Sequence, residues 1–149
     1  MAKIDIAFIG GSGLYKIPEI SNVKWVKVST NFGQPSSEIC TGRIGKCKVA
    51  FLPRHGKFHT ISPSKINYRA NIEALKKLGS ENIISLSAVG SLRNDYIPGD
   101  FVLVDQFIDK TFLRSKTFFE DDLVAHLPMA QPICKNIKSK LADYLKKLR

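Results

Sequence analysis

Three short, mostly apolar runs that stop at glycine, hydroxyl or basic residues constrain the fold of this chain more than any other feature. They span residues 4–9, 46–52 and 82–87, and each has the length and apolar content of a buried strand. An amphipathic segment that is typical of a helix lies between the second and third runs. Strands that alternate with a helix, with polar residues clustered where strands end, predict an α/β sheet with a ligand site at the strand tips.

The segment between residues 62 and 79 has the signals of a helix. Ser62 is suited to cap it, Pro63 to occupy its first position, and Gly79 to end it. An apolar stripe on one face would pack on the sheet. The stripe consists of Ile66, Ala70, Leu75 and Leu78.

Further strands are predicted at residues 23–28 and 38–44, the second forming a hairpin with residues 46–52 around Gly45. Another strand is predicted at 101–104, after the turn at Pro98-Gly99-Asp100. Residues 110–131 show no periodicity, and a connection of that length is usually functional or disordered. An amphipathic helix follows, with apolar positions at Ile133, Ile137, Leu141, Leu145 and Leu148. We predict a single domain over residues 1–149.

Charge and cysteine content narrow the class of ligand and the compartment. The formal net charge of +10 predicts attraction to anions: nucleic acid, an acidic membrane or a phosphorylated small molecule. The three cysteines form no CxxC pair, so neither a disulfide framework nor a zinc site is supported. Asp5 stands where a signal peptide is apolar, and no apolar run is long enough to span a bilayer. We therefore expect a cytoplasmic protein without a membrane partner.

The ends of the three runs carry groups that suit an oxyanion. Arg54 offers a planar fork of charged donors, His55 a ring N–H, and Ser12 and Ser87 hydroxyls, while the backbone amide of Ala88 adds a further donor. Together they would surround one phosphate group. Taken singly, each segment is also compatible with a surface turn, since the glycine-rich loop fits neither a Walker loop nor GxGxxG.

Five segments in order make a family resemblance specific. They are Ile9-Gly10-Gly11-Ser12-Gly13-Leu14, Arg54-His55-Gly56, Ser64-Lys65-Ile66-Asn67-Tyr68-Arg69-Ala70-Asn71, Ala88-Val89-Gly90-Ser91-Leu92-Arg93 and Asp105-Gln106-Phe107-Ile108-Asp109-Lys110-Thr111. The chain resembles the 5'-methylthioadenosine phosphorylases, which belong to the trimeric purine nucleoside phosphorylase family. That resemblance implies a three-layer α/β fold with a mixed central sheet, truncated because the chain matches only the N-terminal half of the family pattern.

The resemblance also implies a reaction and a set of site residues. The reaction is phosphorolysis of 5'-methylthioadenosine to adenine and 5-methylthioribose 1-phosphate, a step of purine and methionine salvage. Inorganic phosphate is the co-substrate, and no cofactor or metal is expected. Ser12, Arg54, His55, Ser87 and Ala88 match phosphate-contacting positions. His126 matches a histidine that reaches the substrate of a neighbouring subunit, which implies a homotrimer.

Two departures from the family pattern leave alternatives open. Ser12 and Ser87 replace residues that are commonly threonine in the family, and serine keeps the hydroxyl donor. The segments that hold the purine, and the aspartate that protonates it, have no match here, so no catalytic residue is identified in this half. A 6-oxopurine nucleoside phosphorylase is therefore an alternative, as is an inactive truncated phosphorylase that only binds phosphate or assembles. The chain would then be a fragment, a broken gene product or a short subunit.

We expect neither nucleic acid nor a metal ion as a ligand. A basic nucleic-acid binder would use the lysines of the last helix, but no aromatic-rich basic platform accompanies them. His55 and His59 are four residues apart, yet Gly56 and the strand ending argue against the helical spacing of a metal pair.

Overall fold

The structure is a computed structural model that describes residues 3–11, 17–119 and 123–147. The chain separates into two compact units, Met1–Ala88 and Val89–Arg149, and each is described by itself. The first unit contains a mixed five-stranded sheet in the order β2-β3-β4-β1-β5. Its strands are β1 (Ile6–Gly10), β2 (Ser21–Val26), β3 (Ile39–Ile44), β4 (Cys47–Pro53) and β5 (Ile83–Ser85).

The predicted hairpin is confirmed. Strands β3 and β4 are antiparallel, and Ile44 pairs with Cys47 across the turn. Gly45 in that turn has a φ of +57°, a left-handed conformation that costs glycine nothing and costs other residues energy. The three runs named above become β1, β4 and β5, which are parallel neighbours with β1 in the centre.

Strand β4 is buried on both faces of the sheet from Val49 to Pro53. Ala50 and Leu52 point to one face and join a core cluster with Leu75 of the following helix. Val49 and Phe51 point to the other face, as the two-residue period of a strand requires. There Phe51 stacks on Phe8 of β1 with ring centroids 4.9 Å apart. Such continuous apolar strands are typical of parallel sheets covered on both sides.

The helix between β4 and β5 ends where predicted but begins later. Pro63–Lys65 forms only a short 3₁₀ turn, and helix α1 spans Tyr68–Lys77. The predicted start at Ser62 and Pro63 was wrong because Ile66 is extended, with ψ of 126°, and interrupts the helix. Asn67 is the N-cap instead, and its Oδ1 accepts a hydrogen bond from the Ala70 amide at 3.1 Å. Gly79 follows the helix with a φ of +80°. Helices commonly end with a glycine in this left-handed conformation.

The second unit departs from one prediction and confirms another. No strand forms at residues 101–104, and the side chain of Phe101 is 74% exposed. The prediction was wrong because apolar composition makes a strand only where a second strand pairs with its backbone, and the described residues provide none. Helix α2 forms at Lys135–Lys146 as expected, although Leu148 lies outside the described residues. Within the described part of the chain, no helix is long and apolar enough to cross a membrane.

Candidate anion-binding site

The candidate site lies where the three parallel strands end side by side. Gly10 pairs with Pro53, and Ile9 pairs with Ser85, so β4, β1 and β5 terminate at the same edge of the sheet. The segments that follow stay close, since the Arg54 amide donates to the Gly10 carbonyl at 3.0 Å. The Leu86 amide donates to the Ile9 carbonyl at 2.9 Å. Residues that follow β4 and β5 therefore flank the end of β1.

The Arg54 side chain connects two of these strand ends. Its Nη1 donates to the backbone oxygen of Leu86 and to Oγ of Ser87, both at 2.8 Å. Arg54 is partly buried, and its Nη2 has no hydrogen-bond partner among the residues that the structure describes. A charged planar donor is thus fixed at the sheet edge with one nitrogen left to bind an anion.

His55 is held by two hydrogen bonds that fix its protonation pattern. Its Nε2 lies 3.1 Å from Nε of Arg54, and its Nδ1 lies 2.9 Å from the backbone oxygen of Ile61. Arginine only donates and a carbonyl only accepts, so Nε2 is the acceptor and Nδ1 carries the proton. The Ile61 amide in turn donates to the His55 carbonyl at 3.0 Å. The ring is therefore oriented through both of its nitrogens.

A tight turn after β4 carries these two residues. The Gly56 amide donates to the Pro53 carbonyl at 3.0 Å, and Gly56 has a φ of +79°, which favours glycine. His59 also has a positive φ, of 57°, and its ring centroid is 4.6 Å from that of His55. A Cβ on Gly56 would lie 3.4 Å from the Ser36 backbone oxygen. The turn therefore packs closely against the loop before β3.

Helix α1 and its N-cap hold that loop through polar side chains. The Nδ2 of Asn67 donates to the Phe32 carbonyl at 2.6 Å, and Asn71 contacts Ser36 through both ends of its amide. The Asn31 amide donates to Glu73 at 2.9 Å. Sequence reasoning used these asparagines only as part of the family resemblance and missed their supporting role. Two asparagines four residues apart, on one helical face, were the available signal.

Among the side chains that hold the loop, Glu73 has a lowered pKa. Burial raises the pKa of its carboxyl, but a hydrogen bond from Lys77 and the backbone amides of Asn31 and Phe32 outweigh burial. The net result is a pKa of Glu73 below its usual range. The carboxylate lies 3.0 Å from the Lys77 ammonium, so the charged form is stabilised in the folded protein.

The structure brings three of the predicted site residues together and leaves others apart. Arg54 donates one hydrogen bond to His55 and another to Ser87. Ala88 follows directly, is exposed, and its amide has no backbone partner among the residues described. Ser12 lies outside the described residues. His126 is exposed in the second unit, and its predicted contact with a substrate stays a prediction.

This cluster has the chemistry of an anion receptor. A guanidinium nitrogen, a hydroxyl and a backbone amide are the donors that bind phosphate or carboxylate oxygens. No carboxylate of the described residues contacts Arg54, His55 or Ser87. The described residues also contain no group of three or more histidine, cysteine, aspartate or glutamate side chains placed to hold a metal ion. The cluster is therefore suited to bind and orient an anion.

The chain belongs to the phosphorylase superfamily, because the family model of that description matches residues 5–149. Among curated relatives, the S-methyl-5'-thioadenosine phosphorylase of Hyperthermus butylicus is 53% identical over 98% of this chain. The enzyme of the same name from Saccharolobus solfataricus is 54% identical, also over 98%. The chain covers 53% and 54% of those two proteins, so it spans about half the length of the curated relatives it matches.

Solved structures agree with this assignment. A methylthioadenosine phosphorylase from an antarctic soil metagenomic library has a TM-score of 0.91 and 48% identity, over 95% of this chain and 49% of its own. The Schistosoma mansoni methylthioadenosine phosphorylase in its apo form has a TM-score of 0.89 and 41% identity, over 97% of this chain and 53% of its own. The α/β fold with a mixed sheet that the resemblance implied is confirmed.

Proposed function

We propose that this chain supplies the phosphate-binding part of a phosphorylase that converts 5'-methylthioadenosine and phosphate to adenine and 5-methylthioribose 1-phosphate. The observation that carries the proposal is the Arg54 guanidinium bound to the Leu86 carbonyl and the Ser87 hydroxyl across two parallel strand ends. The substrate assignment is supported by the names of relatives at 53% and 54% identity. The reaction places the protein in purine and methionine salvage.

In this reaction a phosphate oxygen attacks C1' of the ribose as the bond from C1' to the purine nitrogen breaks. The bond's electron pair leaves with the purine, and positive charge develops on the ribose. An anchored phosphate dianion is then both the nucleophile and the electrostatic stabiliser. We assign its binding to Nη2 of Arg54, the Ser87 hydroxyl and the Ala88 amide, with Ser12 as a further donor and the His55 ring beside Arg54. Proton donation to the leaving purine is assigned to a group outside this cluster.

The proposal extends to assembly and to cofactor use. Following the family resemblance, we propose a homotrimer in which His126 of one subunit reaches the 5'-alkylthio group bound by its neighbour. Inorganic phosphate is proposed as the co-substrate, with no cofactor or metal, and the cytoplasm as the site of action. The excess of basic residues, +10 in formal charge, would favour encounter with phosphate.

A second candidate function is phosphate binding without cleavage of a nucleoside. The described cluster holds donors for an anion, and no carboxylate of the described residues contacts Arg54, His55 or Ser87. Loss of general acid catalysis alone typically costs 10²- to 10⁴-fold in rate.

Two measurements on the full chain test both candidates. Isothermal titration calorimetry with inorganic phosphate is expected to show binding that is lost in Arg54→Ala and kept in Arg43→Ala. Arg43 is a matched control because its Nη2 donates to the Lys46 carbonyl in the hairpin turn, at the opposite end of β4 from Arg54. The second measurement follows adenine release from 5'-methylthioadenosine with and without phosphate.

Each outcome decides between the candidates. Phosphate-dependent adenine release supports the phosphorylase. Faster release of hypoxanthine from inosine would instead assign the activity to 6-oxopurine nucleosides. Phosphate binding without release supports the binding-only function. Phosphate binding that survives Arg54→Ala, or that is absent from the wild type, would overturn the proposal.

A further inference from the structure

His55 contacts Arg54 through an acceptor atom, which gives it a different role from that of a phosphate donor. We infer that His55 is a positioning residue: its Nε2 holds the Nε edge of Arg54 so that the guanidinium presents Nη2 to the anion. The inference rests on the proposed phosphate site and specifies how that site is organised.

Three acceptors in different directions hold the guanidinium. Nε donates to His55 at 3.1 Å, while Nη1 donates to the Leu86 carbonyl and the Ser87 hydroxyl, both at 2.8 Å. These bonds use three of the five N–H donors of an arginine. The two that remain are both on Nη2, so the protein determines which edge of the group faces a ligand.

The bond from Nδ1 of His55 to the Ile61 carbonyl, at 2.9 Å, selects the tautomer that this arrangement requires. A proton on Nδ1 leaves Nε2 of a neutral imidazole with a lone pair. The Nε2 atom then accepts from Arg54 and has no proton to offer an anion. Ile61 also returns a bond from its amide to the His55 carbonyl, at 3.0 Å. The segment from residue 55 to 61 therefore orients the ring before any ligand arrives.

Holding Arg54 in advance should increase phosphate affinity. An arginine side chain has large rotamer freedom, and immobilising it at the moment of binding reduces affinity. Since the protein itself immobilises Arg54, that loss is incurred in folding. Phosphate affinity should therefore depend on His55 even though phosphate does not contact its Nε2.

Histidine ¹⁵N NMR of the wild-type chain tests the inference directly. At a pH well above the ordinary histidine range, the Nδ1 of His55 should be protonated and its Nε2 unprotonated. Adding inorganic phosphate should leave this pattern unchanged. Protonation of Nε2 in the free protein, or its appearance when phosphate is added, would overturn the positioning role and favour direct donation to phosphate.

Two substitutions separate the acceptor from the rest of the ring. The amide of His55→Gln reaches the position of Nε2 and restores an acceptor, whereas that of His55→Asn reaches only the position of Nδ1. We expect phosphate binding within about threefold of wild type for His55→Gln and about tenfold weaker for His55→Asn, the loss of one hydrogen bond to a charged group. The ¹H–¹⁵N signal of the Arg54 Nε should persist in the first variant and exchange faster in the second. Equal losses in both variants would contradict the inference.

His59→Asn is the matched control. His59 lies beside the His55 ring but makes no bond to Arg54, and asparagine tolerates its positive φ. This variant should keep the Arg54 signal and wild-type phosphate affinity. If the wild type does not bind phosphate, the proposed function fails, while the tautomer of His55 still decides the inference.

Discussion

Asn71 binds Ser36 with both ends of its side-chain amide. The Ser36 amide donates to Oδ1 of Asn71 at 2.8 Å, and Nδ2 of Asn71 donates to Oγ of Ser36 at 3.0 Å. Asn71 is 2% exposed, so these bonds are shielded from water. The Ser36 carbonyl lies beside Gly56, and the pair therefore links helix α1 to the turn that carries Arg54.

Asn71→Ala should lower the free energy of unfolding by about 1–3 kcal/mol, because it leaves the Ser36 amide without its partner in a partly buried loop. Ser36→Ala should lower the free energy of unfolding by less, because it removes the hydroxyl but keeps the bond from the Ser36 backbone amide to Oδ1 of Asn71. Urea unfolding of both variants and of the double variant provides the comparison. Additive losses, which would mean that the two side chains do not interact, would contradict this arrangement.

Gly56→Ala should destabilise the protein more than Gly45→Ala. Both glycines have positive φ, of 79° and 57°, and a Cβ in that region costs roughly 1–2 kcal/mol. At Gly56 the new Cβ would also lie 3.4 Å from the Ser36 oxygen, whereas at Gly45 no atom lies within 4 Å. Thermal unfolding of the two variants makes the comparison, and equal shifts would show that the loop does not press on the turn.

Glu73 should make stability depend on acid pH. Its pKa in the folded protein is lowered, with burial outweighed by hydrogen bonds from Lys77 and backbone amides. The stabilisation is therefore complete above the pKa of the unfolded chain and is lost as pH falls through the folded pKa. Urea unfolding of wild type and Glu73→Gln from neutral to acid pH should give a difference that narrows as pH falls. A constant difference would rule out a contribution from the charge.

Ser87→Ala should weaken phosphate binding by about tenfold, because it removes both a hydroxyl donor and the acceptor of Arg54 Nη1. Ser87→Thr keeps the hydroxyl and should bind phosphate like the wild type. Ser85→Ala is a control in the same segment, since Ser85 makes no bond to Arg54. Calorimetric titration with phosphate is the measurement. An unchanged affinity in Ser87→Ala would remove Ser87 from the site.

The elements that could be predicted from sequence are those whose signals are local. The β3–β4 hairpin follows from Gly45 between two strand-like runs, and the end of α1 follows from Gly79. The start of α1 could not be predicted in the same way, because two residues of capping type, Ser62 and Asn67, precede the helix. Asn67 caps the helix through the Ala70 amide, whereas the side chain of Ser62 makes no capping bond.

For the candidate site, the sequence by itself determined which donors stand at the strand ends: Arg54 and His55 after one strand and Ser87 after another. Only the tertiary structure decided how they are used, since the parallel order β4-β1-β5 brings residues 33 positions apart within 2.8 Å. The tautomer of His55 also depends on the folded turn, because the contacts with Arg54 and Ile61 determine which ring nitrogen accepts. Residue types are local properties, but the edge that an arginine presents is set by contacts distant in sequence.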